Sequence, residues 1–393
     1  IYRYLTYKSL FNVDKPEPDI SQWICYIDSL KYPENDTTRT FNRYLCRMYY
    51  FPLYYKFLAN VSSVIAHFLS IPIILRKSGY STYTKAKKEI NGAVLIKAKN
   101  VDYVDILPKD IEISYGKISI INRPGRNNWL LTNDAKVMLL NAIKTHPLYF
   151  HLNQLIFREL CVYSFIIEYY APKAIIVYVN ERNVVAPMIS DLCEKRGIDF
   201  VTFMHGDYQL QLLHAYMRFT RFYVWDDHYA NMFINDLRCA PDQFILYKPD
   251  KLKGICKPRE SDGSYEYFAT YYFGAETITR IQKVAEAFDI MKKRGKKLKI
   301  RPHPRRSNIP ALYEAFSEYF IEDTKLVSLS ESVENSLYII ALNSTVLSEA
   351  YYSGKKIVID DISDVEKFTN LVNRKFILLN KPHILFSDLL FNE

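Results

Sequence analysis

A histidine fixed between two prolines and followed by arginines is the feature of this sequence best suited to chemistry. In the segment KIRPHPRRSN, 299–308, His303 precedes Pro304, and Arg305 and Arg306 come directly after. Prolines restrict the backbone on both sides of the imidazole, so its position is held at little further entropic cost. Such a histidine can donate to a phosphate or protonate a leaving phosphate. The segment predicts an anion site, although a plain strand exit in which His303 caps a turn also fits.

A second segment with anion-binding character lies further along the chain, in ALNSTVLSEA, 341–350. It reads as the end of a strand, then Asn343, Ser344 and Thr345, then a helix. A capped helix start presents free N–H groups and hydroxyls that suit a phosphate. Glu349, one turn into the helix, is placed to accept hydrogen bonds from ribose hydroxyls. The alternative is an ordinary capped helix with no ligand.

A third segment supplies a candidate general base. The predicted strand DFVTFMHG, 199–206, delivers His205 to its end, and Asp207 follows. A histidine with a nearby carboxylate can remove a proton from a hydroxyl. A structural role for His205 remains the competing interpretation. Asp227, in the group WDDHY, is expected to cap the next helix.

The elements that must position these residues alternate between strand and helix, which indicates an α/β fold of two Rossmann-like domains facing a cleft. We predict an N-terminal α/β domain at 1–246, a linker at 247–264, and a C-terminal α/β domain at 265–393 whose last helical pieces pack back on the first. The predicted strands include 92–98, 116–122, 173–179, 199–206, 221–226, 265–273, 297–304, 336–343 and 355–360. Ligands bind at the carboxyl ends of such strands, so Arg301, at the end of the strand before His303, joins the predicted phosphate site.

Composition limits the classes of partner. The chain has 393 residues, a formal net charge of +9 and six scattered cysteines. The charge favours anionic partners, and the cysteine spacing argues against a zinc site or a disulfide framework and fits a reducing cytosol.

The uncharged segment 57–75 is expected to be a buried helix running into a strand, with a helix on a membrane surface and a true span as the alternatives.

The motifs together resemble a known class of enzyme. RPHP, which contains His303 and Pro304, and NST, which contains Ser344 and Thr345, look like the motifs of GT-B glycosyltransferases, especially bacterial sialyltransferases and polysialyltransferases. In those enzymes the motif histidine and the Ser/Thr groups contact the phosphate of a CMP-activated sugar, which is what the resemblance implies for these four residues. Taken with the HG at 205–206, they also resemble transferases of teichoic-acid and capsule synthesis. The acidic-acidic-glycine motif of the sialyltransferases has no convincing copy in the N-terminal half.

The resemblance implies a metal-independent bacterial glycosyltransferase that uses no cofactor. It would move a sialic-acid-like sugar from a CMP-linked donor onto capsule, lipooligosaccharide or O-antigen. The second domain, 265–393, would bind the nucleotide-sugar donor with the help of Arg301, His303, Arg305, Asn343 and Glu349. The first domain, 1–246, would lie on the acceptor side, where His205 with Asp207 would activate the acceptor. The alternatives are a CDP-linked glycerol or ribitol phosphotransferase, a nucleotide-sugar 2-epimerase, and a non-catalytic nucleotide- or nucleic-acid-binding protein, although no nucleic-acid motif is present. We expect a cytoplasmic protein with a peripheral contact to the anionic inner membrane face.

Overall fold

The first half of the chain forms one parallel sheet. The computed structural model describes residues 20–64, 88–97, 107–125, 128–178, 182–247, 265–274 and 276–392. The strands of the first sheet are β1 (Ala93–Ile96), β2 (Ile118–Ile121), β3 (Ala174–Val177), β4 (Asp199–Phe203), β5 (Arg221–Val224) and β6 (Phe244–Leu246). They are ordered β2-β1-β3-β4-β5-β6 and all pair in parallel.

The second half forms another parallel sheet of the same size. Its strands are β7 (Tyr267–Tyr272), β8 (Leu298–Arg301), β9 (Phe320–Ile321), β10 (Ser336–Ala341), β11 (Lys356–Ile359) and β12 (Ile384–Leu385). Their order is β12-β11-β10-β7-β8-β9. The direction in which strands are added reverses between β7 and β10, and a reversal of this kind opens a crevice at the carboxyl edge of the sheet.

Helices connect the strands and cover the faces of the sheets. Several begin at a side chain that accepts a hydrogen bond from the first turn, as sequence capping rules predict; Thr132, Thr277 and Ser344 are examples. The helices are α1 (Ile20–Ser29), α2 (Asp36–Tyr49), α3 (53–64), α4 (Lys109–Tyr115), α5 (Asn133–Thr145), α6 (Phe150–Tyr170), α7 (Ala186–Glu194), α8 (Asp227–Asn231), α9 (Ile278–Lys293), α10 (Ile309–Ala315), α11 (Leu329–Glu334), α12 (Thr345–Tyr352), α13 (Val365–Asn373) and α14 (Phe386–Asn392).

The core explains why the central strands read as continuous apolar runs. Side chains alternate across each sheet, and both faces are buried. In β3, Ile175 belongs to one hydrophobic cluster and Ile176 to another on the opposite face. The largest cluster continues into the second half, where it includes Ile339 of β10 and Ile357 of β11. The two halves therefore share one contiguous core.

Polar contacts also join the halves. Leu210 N–H donates to the carbonyl of Arg374 at 2.9 Å. Lys381 forms an ion pair with Asp226 at 2.9 Å, and His228 Nε2 lies 2.8 Å from the carbonyl of Lys375. The segment after α13 thus contacts the first half. Apart from position 247, the predicted linker lies outside the described residues, so the domain boundaries stay predictions.

The predicted α/β class with two parallel-sheet units is confirmed, and the nine predicted strands correspond to β1, β2, β3, β4, β5, β7, β8, β10 and β11. The prediction missed β6, β9 and β12, which have three, two and two residues. Edge strands this short contain too few residues for their alternation to be recognised.

The apolar segment 57–75 is described only as far as residue 64. Residues 57–64 belong to α3, where the exposed fractions of Phe57 and Leu58 are 65% and 55%. The predicted buried helix is therefore wrong for this part. Among the described residues, no helix is both long enough and apolar enough to cross a membrane.

Candidate functional site

A polar cleft of about 740 Å³ lies between the two sheets, lined by residues of both halves. From the first half come Arg182, which lies before α7, and residues that follow β4. From the second half come residues at and after the ends of β7, β8 and β10, beside the point where the strand order reverses, and Lys367 of α13. The predicted arrangement of two sheets facing a cleft is confirmed. The cleft is lined by Arg182, His205, Gly206, Asp207, Tyr208, Gln209, Gln211, His214, Tyr272, Phe273, Gly274, Glu276, Arg280, His303, Arg306, Leu342, Asn343, Ser344, Thr345 and Lys367.

His303 lines this cleft, and its loop fixes both its position and its tautomer. The backbone N–H of Arg305 donates to Nδ1 at 3.1 Å, so Nδ1 is an acceptor and the proton of the neutral ring is on Nε2. The backbone N–H of His303 donates to Ser307 Oγ at 2.8 Å, and that hydroxyl donates to the carbonyl of Gly274 at 2.9 Å. No described residue hydrogen-bonds Nε2. The ring therefore offers an N–H donor to a ligand.

The start of α12 reaches the same cleft. Ser344 caps the helix by accepting from the N–H of Val346 at 3.3 Å, while Asn343 and Thr345 are exposed at the rim. The first N–H groups of a helix have no partner within it, and the helix dipole makes them attractive to an anion. The structure thus brings the predicted 343–345 segment and His303 to one cavity.

Arg301 is not part of the cleft, although the sequence predicted a phosphate contact for it. Its side chain is 9% exposed, and its guanidinium contacts Glu322 Oε2 and donates from Nη2 to the carbonyl of Val327 at 3.1 Å. Lys299 contacts the other oxygen of Glu322 at 2.7 Å. Arg301 therefore has a structural role beneath the loop in place of the predicted ligand contact.

Three other predicted donor-binding residues lie outside the cleft lining. Pro304 and Arg305 are exposed in the turn after His303, and Arg305 contributes its backbone N–H to the ring. Arg306, the next arginine, lines the cleft instead. Glu349 is half-buried within α12, one turn away from the lining residues.

His205 lines the cleft from the first half, at the exit from β4. Its Nδ1 lies 2.9 Å from the hydroxyl of Tyr208, and its ring packs against Tyr178 at 5.0 Å between centroids. When Nδ1–H donates to Tyr208, Nε2 keeps its lone pair and can accept a proton. Tyr208, rather than the predicted Asp207, orients the ring.

Asp207 also lines the cleft, but it does not hydrogen-bond His205. Its Oδ1 accepts from the hydroxyl of Tyr229, and Oδ2 is buried without a partner in the described chain. Burial raises the pKa of Asp207 to about 7, against the lowering effect of the hydrogen bonds from Tyr229 and from the backbone of Tyr208. The predicted His205–Asp207 pair is thus wrong as a hydrogen-bonded pair, because the carboxyl group is bound to Tyr229.

The sequence analysis missed one acidic and one basic side chain that follow β7, Glu276 and Arg280. The side chain of Glu276 is 3% exposed; its Oε1 accepts from the N–H of Gly274 and lies 3.6 Å from Arg280. Burial raises the pKa of Glu276. Arg280 donates from Nε to Ser363 at 2.9 Å and lies 3.6 Å from Asp360. The segment GAETITR, 274–280, could have revealed them, because it directly follows a predicted strand whose carboxyl end lies at the edge where ligands bind.

The cleft carries an excess of basic side chains on the second-half side. Arg280, Arg306 and Lys367 line it, and Glu276 is the acidic residue that this half contributes. In the part of the chain that the structure describes, no group of three or more His, Cys, Asp or Glu side chains could hold a metal ion. The arrangement suits an anionic ligand whose charge is met by arginine, lysine, histidine and a helix N-terminus.

No protein-family model matches the sequence, and no curated protein matches it. Among solved structures, the chain is similar to wall teichoic acid polymerase TagF at 11% identity and a TM-score of 0.43, over 85% of this chain and 88% of that one. It is also similar to the UDP-GlcNAc 2-epimerase of Methanocaldococcus jannaschii at 12% identity and a TM-score of 0.42, over 77% of this chain and 92% of that one.

A third similar structure is a glycosyltransferase from Rickettsia africae, at 11% identity and a TM-score of 0.35, over 62% of this chain and 66% of that one. Identities and TM-scores as low as these carry no argument about activity. The function therefore has to be inferred from the residues of the cleft.

Proposed function

We propose that this protein is a glycosyltransferase that moves a sugar from a nucleotide-activated donor onto a hydroxyl of a bacterial surface glycan. The observation that carries the proposal is the setting of His303. His303 lines the cleft, the Arg305 N–H occupies its Nδ1, its Nε2–H has no described partner, and the start of α12 lines the same cavity. A donor phosphate would supply the missing acceptor.

The charge of the donor supports the same assignment. A nucleotide phosphate carries negative charge that grows on the leaving oxygen as the bond to the sugar breaks. Arg306 and Lys367 offer positive charge from the lining, and Ser344 and Thr345 offer hydroxyls. Fixed donors of this kind stabilise a developing anion without reorganising. In this proposal they replace a metal ion.

The transfer step can be written with every atom accounted for. The acceptor oxygen forms a bond to the anomeric carbon of the donor sugar, and the bond between that carbon and the phosphate oxygen breaks. Its electron pair leaves on the nucleotide, where His303 donates a hydrogen bond. The proton of the acceptor hydroxyl passes to a base on the other side of the cleft, which we assign to His205.

His205 suits the base role because Tyr208 can hold its Nδ1–H and leave Nε2 as the acceptor. Asp207 is the second group on that side that can bind a proton near neutral pH, since burial raises its pKa to about 7. His205→Ala is expected to lower transfer strongly while nucleotide binding persists. Loss of transfer only in Asp207→Asn would move the base to the carboxylate.

The assignment of a cytidine nucleotide to the donor rests on the resemblance of the RPHP and NST motifs. A CMP-linked, sialic-acid-like sugar is our first candidate, and a CDP-linked glycerol or ribitol donor is the second. A 2-epimerase would convert its nucleotide sugar with no acceptor present, which separates it from either transferase. Peripheral contact with an anionic membrane, where lipid-linked acceptors are found, is part of the proposal.

A thermal-shift panel of CMP, CDP, UDP, GDP and their sugars tests the proposal. A ligand that binds the native state raises the apparent stability, so we expect stabilisation by a cytidine nucleotide. Stabilisation by UDP or GDP alone would remove the cytidine assignment and keep a nucleotide donor. Absence of any shift, with no binding by calorimetry, would overturn the proposed function.

A further inference from the structure

A second cavity, of about 490 Å³, adjoins the donor cleft on the side of the first half. The two share Arg182 and Gln211 among their lining residues. The new cavity is lined by the aromatic residues Trp23, Tyr50 and Phe51. Trp23 and Tyr50 pack edge to face at 5.8 Å between ring centroids. Arg47, Arg182, Gln211 and Arg374 line it as well, so the cavity combines aromatic rings with basic side chains.

A third cavity, of about 420 Å³, continues from the second, because Arg47 lines both. It is lined in addition by Arg123, Arg158, Glu159 and Asn183. Nothing apolar is among these residues. The third cavity is therefore purely polar and adjoins the aromatic pocket at Arg47.

The charges along this path do not balance. The second and third cavities contain five arginines, Arg47, Arg123, Arg158, Arg182 and Arg374, and one acidic residue, Glu159. Arg123 and Arg158 both contact Glu159, at 2.7 and 3.2 Å. Within the described chain, Arg47 and Arg182 form no ion pair; Arg47 Nη1 approaches the carbonyl of Arg182 at 3.5 Å.

The positive field of these arginines acts on a neighbouring group. His151, which lies 3.4 Å from Tyr44, has its pKa lowered to about 4 by burial and by the charges of Arg47 and Arg158. Arginine binds carboxylate and phosphate in a forked, bidentate geometry.

We propose that these two cavities form the acceptor site and that the acceptor is an anionic saccharide, with a sugar ring against the aromatic pocket and a carboxylate or phosphate group at Arg47 and Arg158. The proposal rests on the proposed function, because it deepens the acceptor side of the same transfer. Arg182, at the boundary with the donor cleft, would bind an anionic group near the reacting hydroxyl.

Three oligomers of matched length serve as probes: oligosialic acid for carboxylate, oligo(glycerol phosphate) for phosphate, and maltooligosaccharide as the neutral control. Binding is measured by calorimetry at two salt concentrations in the intact protein and in Arg47→Gln and Arg158→Gln. Lys283→Gln, which removes an exposed positive charge from α9, is the charge-matched control. Circular dichroism and melting temperature show whether each variant is folded.

We expect an anionic oligomer to bind and the neutral one not to, with the better anion identifying carboxylate or phosphate. Each arginine variant should bind about tenfold more weakly, since a hydrogen bond between charged groups is about that strong, and Lys283→Gln should bind as the wild type does. Equal binding of the neutral oligomer, or equal loss in all three variants, would overturn the inference. So would tighter binding of a single-stranded RNA of equal charge.

The nucleotide panel keeps this inference separate from the function on which it rests. Arg47 and Arg158 lie outside the donor cleft, so their variants should keep the nucleotide-induced thermal shift. Nucleotide binding without anion-selective acceptor binding would overturn the acceptor site alone. Failure of every nucleotide to bind would overturn the proposed function itself.

Discussion

The Nε2–H of His303 is the ring donor that we assign to the donor phosphate, because the loop of this histidine already occupies Nδ1. The Arg305 N–H occupies Nδ1, and Ser307 ties the histidine backbone to Gly274 at the end of β7. A loop held at three points does not need to reorganise when a ligand binds, which is the condition for effective electrostatic stabilisation. The two flanking prolines contribute rigidity to the same loop.

Asp207 leads to a prediction about pH and stability. Burial raises its pKa to about 7 in the native state, against about 4 in an unfolded chain. Between these values the native state binds one more proton than the unfolded state, so its stability falls as the pH rises. The amide in Asp207→Asn cannot ionise, and the variant should therefore gain about 2–3 kcal/mol relative to wild type between pH 5 and pH 8.

Urea unfolding of both proteins at the two pH values measures this difference. The variant isolates Asp207 from the buried histidines, whose effect has the opposite sign. Burial lowers the pKa of His214 to about 3, so the stability that it contributes above its unfolded pKa is lost as the pH falls. Parallel pH profiles in the wild type and Asp207→Asn would show that the carboxyl group does not have a raised pKa.

At the scale of single residues, sequence located His303, Ser344 and His205 but could not assign their partners. The motifs showed the residue types and their positions at the ends of strands. The partner of Asp207 is Tyr229, 22 residues further along the chain. Contacts of this range depend on how β4 and β5 lie side by side, which spacing along the sequence does not contain.

In strand β8, basic residues that suggest exposure in the sequence are buried in the structure. LKIR reads as a basic, half-exposed strand, yet all four of its residues are buried. Glu322, directly after the two-residue strand β9, neutralises both Lys299 and Arg301. Because β9 is too short to recognise in sequence, the buried cluster could not be predicted, and Arg301 was assigned to the ligand.

This cluster predicts a large effect on stability. Glu322 is 2% exposed in its side chain, and Glu322→Ala would leave two buried cations without a partner. We expect a loss of about 3–5 kcal/mol in the free energy of unfolding, the usual result of breaking a buried pair on one side. Chemical denaturation followed by circular dichroism measures it.

Glu318→Ala is the matched control, because its ion pair with Lys292 is at the surface, with the Glu318 side chain 75% exposed. An exposed pair contributes about 0–1 kcal/mol. A similar small loss in both variants would mean that the Lys299–Glu322–Arg301 cluster is not buried as described.

At the scale of the whole molecule, the contiguous core predicts that the two halves unfold together. The three tryptophans, Trp23, Trp129 and Trp225, all belong to the first half, so their fluorescence reports that half only. Glu322→Ala, in the second half, should lower the fluorescence midpoint as much as it lowers the midpoint measured by hydrogen exchange of the β10 amides. A fluorescence midpoint unchanged by the substitution would indicate independent halves.

The general architecture could be predicted from the sequence, and the proposed acceptor site could not. Buried parallel strands have a recognisable apolar pattern, so two sheets and a cleft could be predicted. The proposed acceptor site depends on Trp23 of α1 and Arg47 of α2 lining one cavity with Arg182, which is far away in sequence. The N-terminal region contains no sequence motif that predicts this packing.

The binding of a nucleotide to His303 variants is the most direct test of a donor phosphate in this cleft. For the nucleotide that stabilises the wild type, calorimetry should find binding about tenfold or more weaker in His303→Ala, which lacks the charge-assisted hydrogen bond. His303→Gln, whose amide can donate near the position of Nε2, should recover part of the loss. Wild-type affinity and near-normal turnover in His303→Ala would contradict the account.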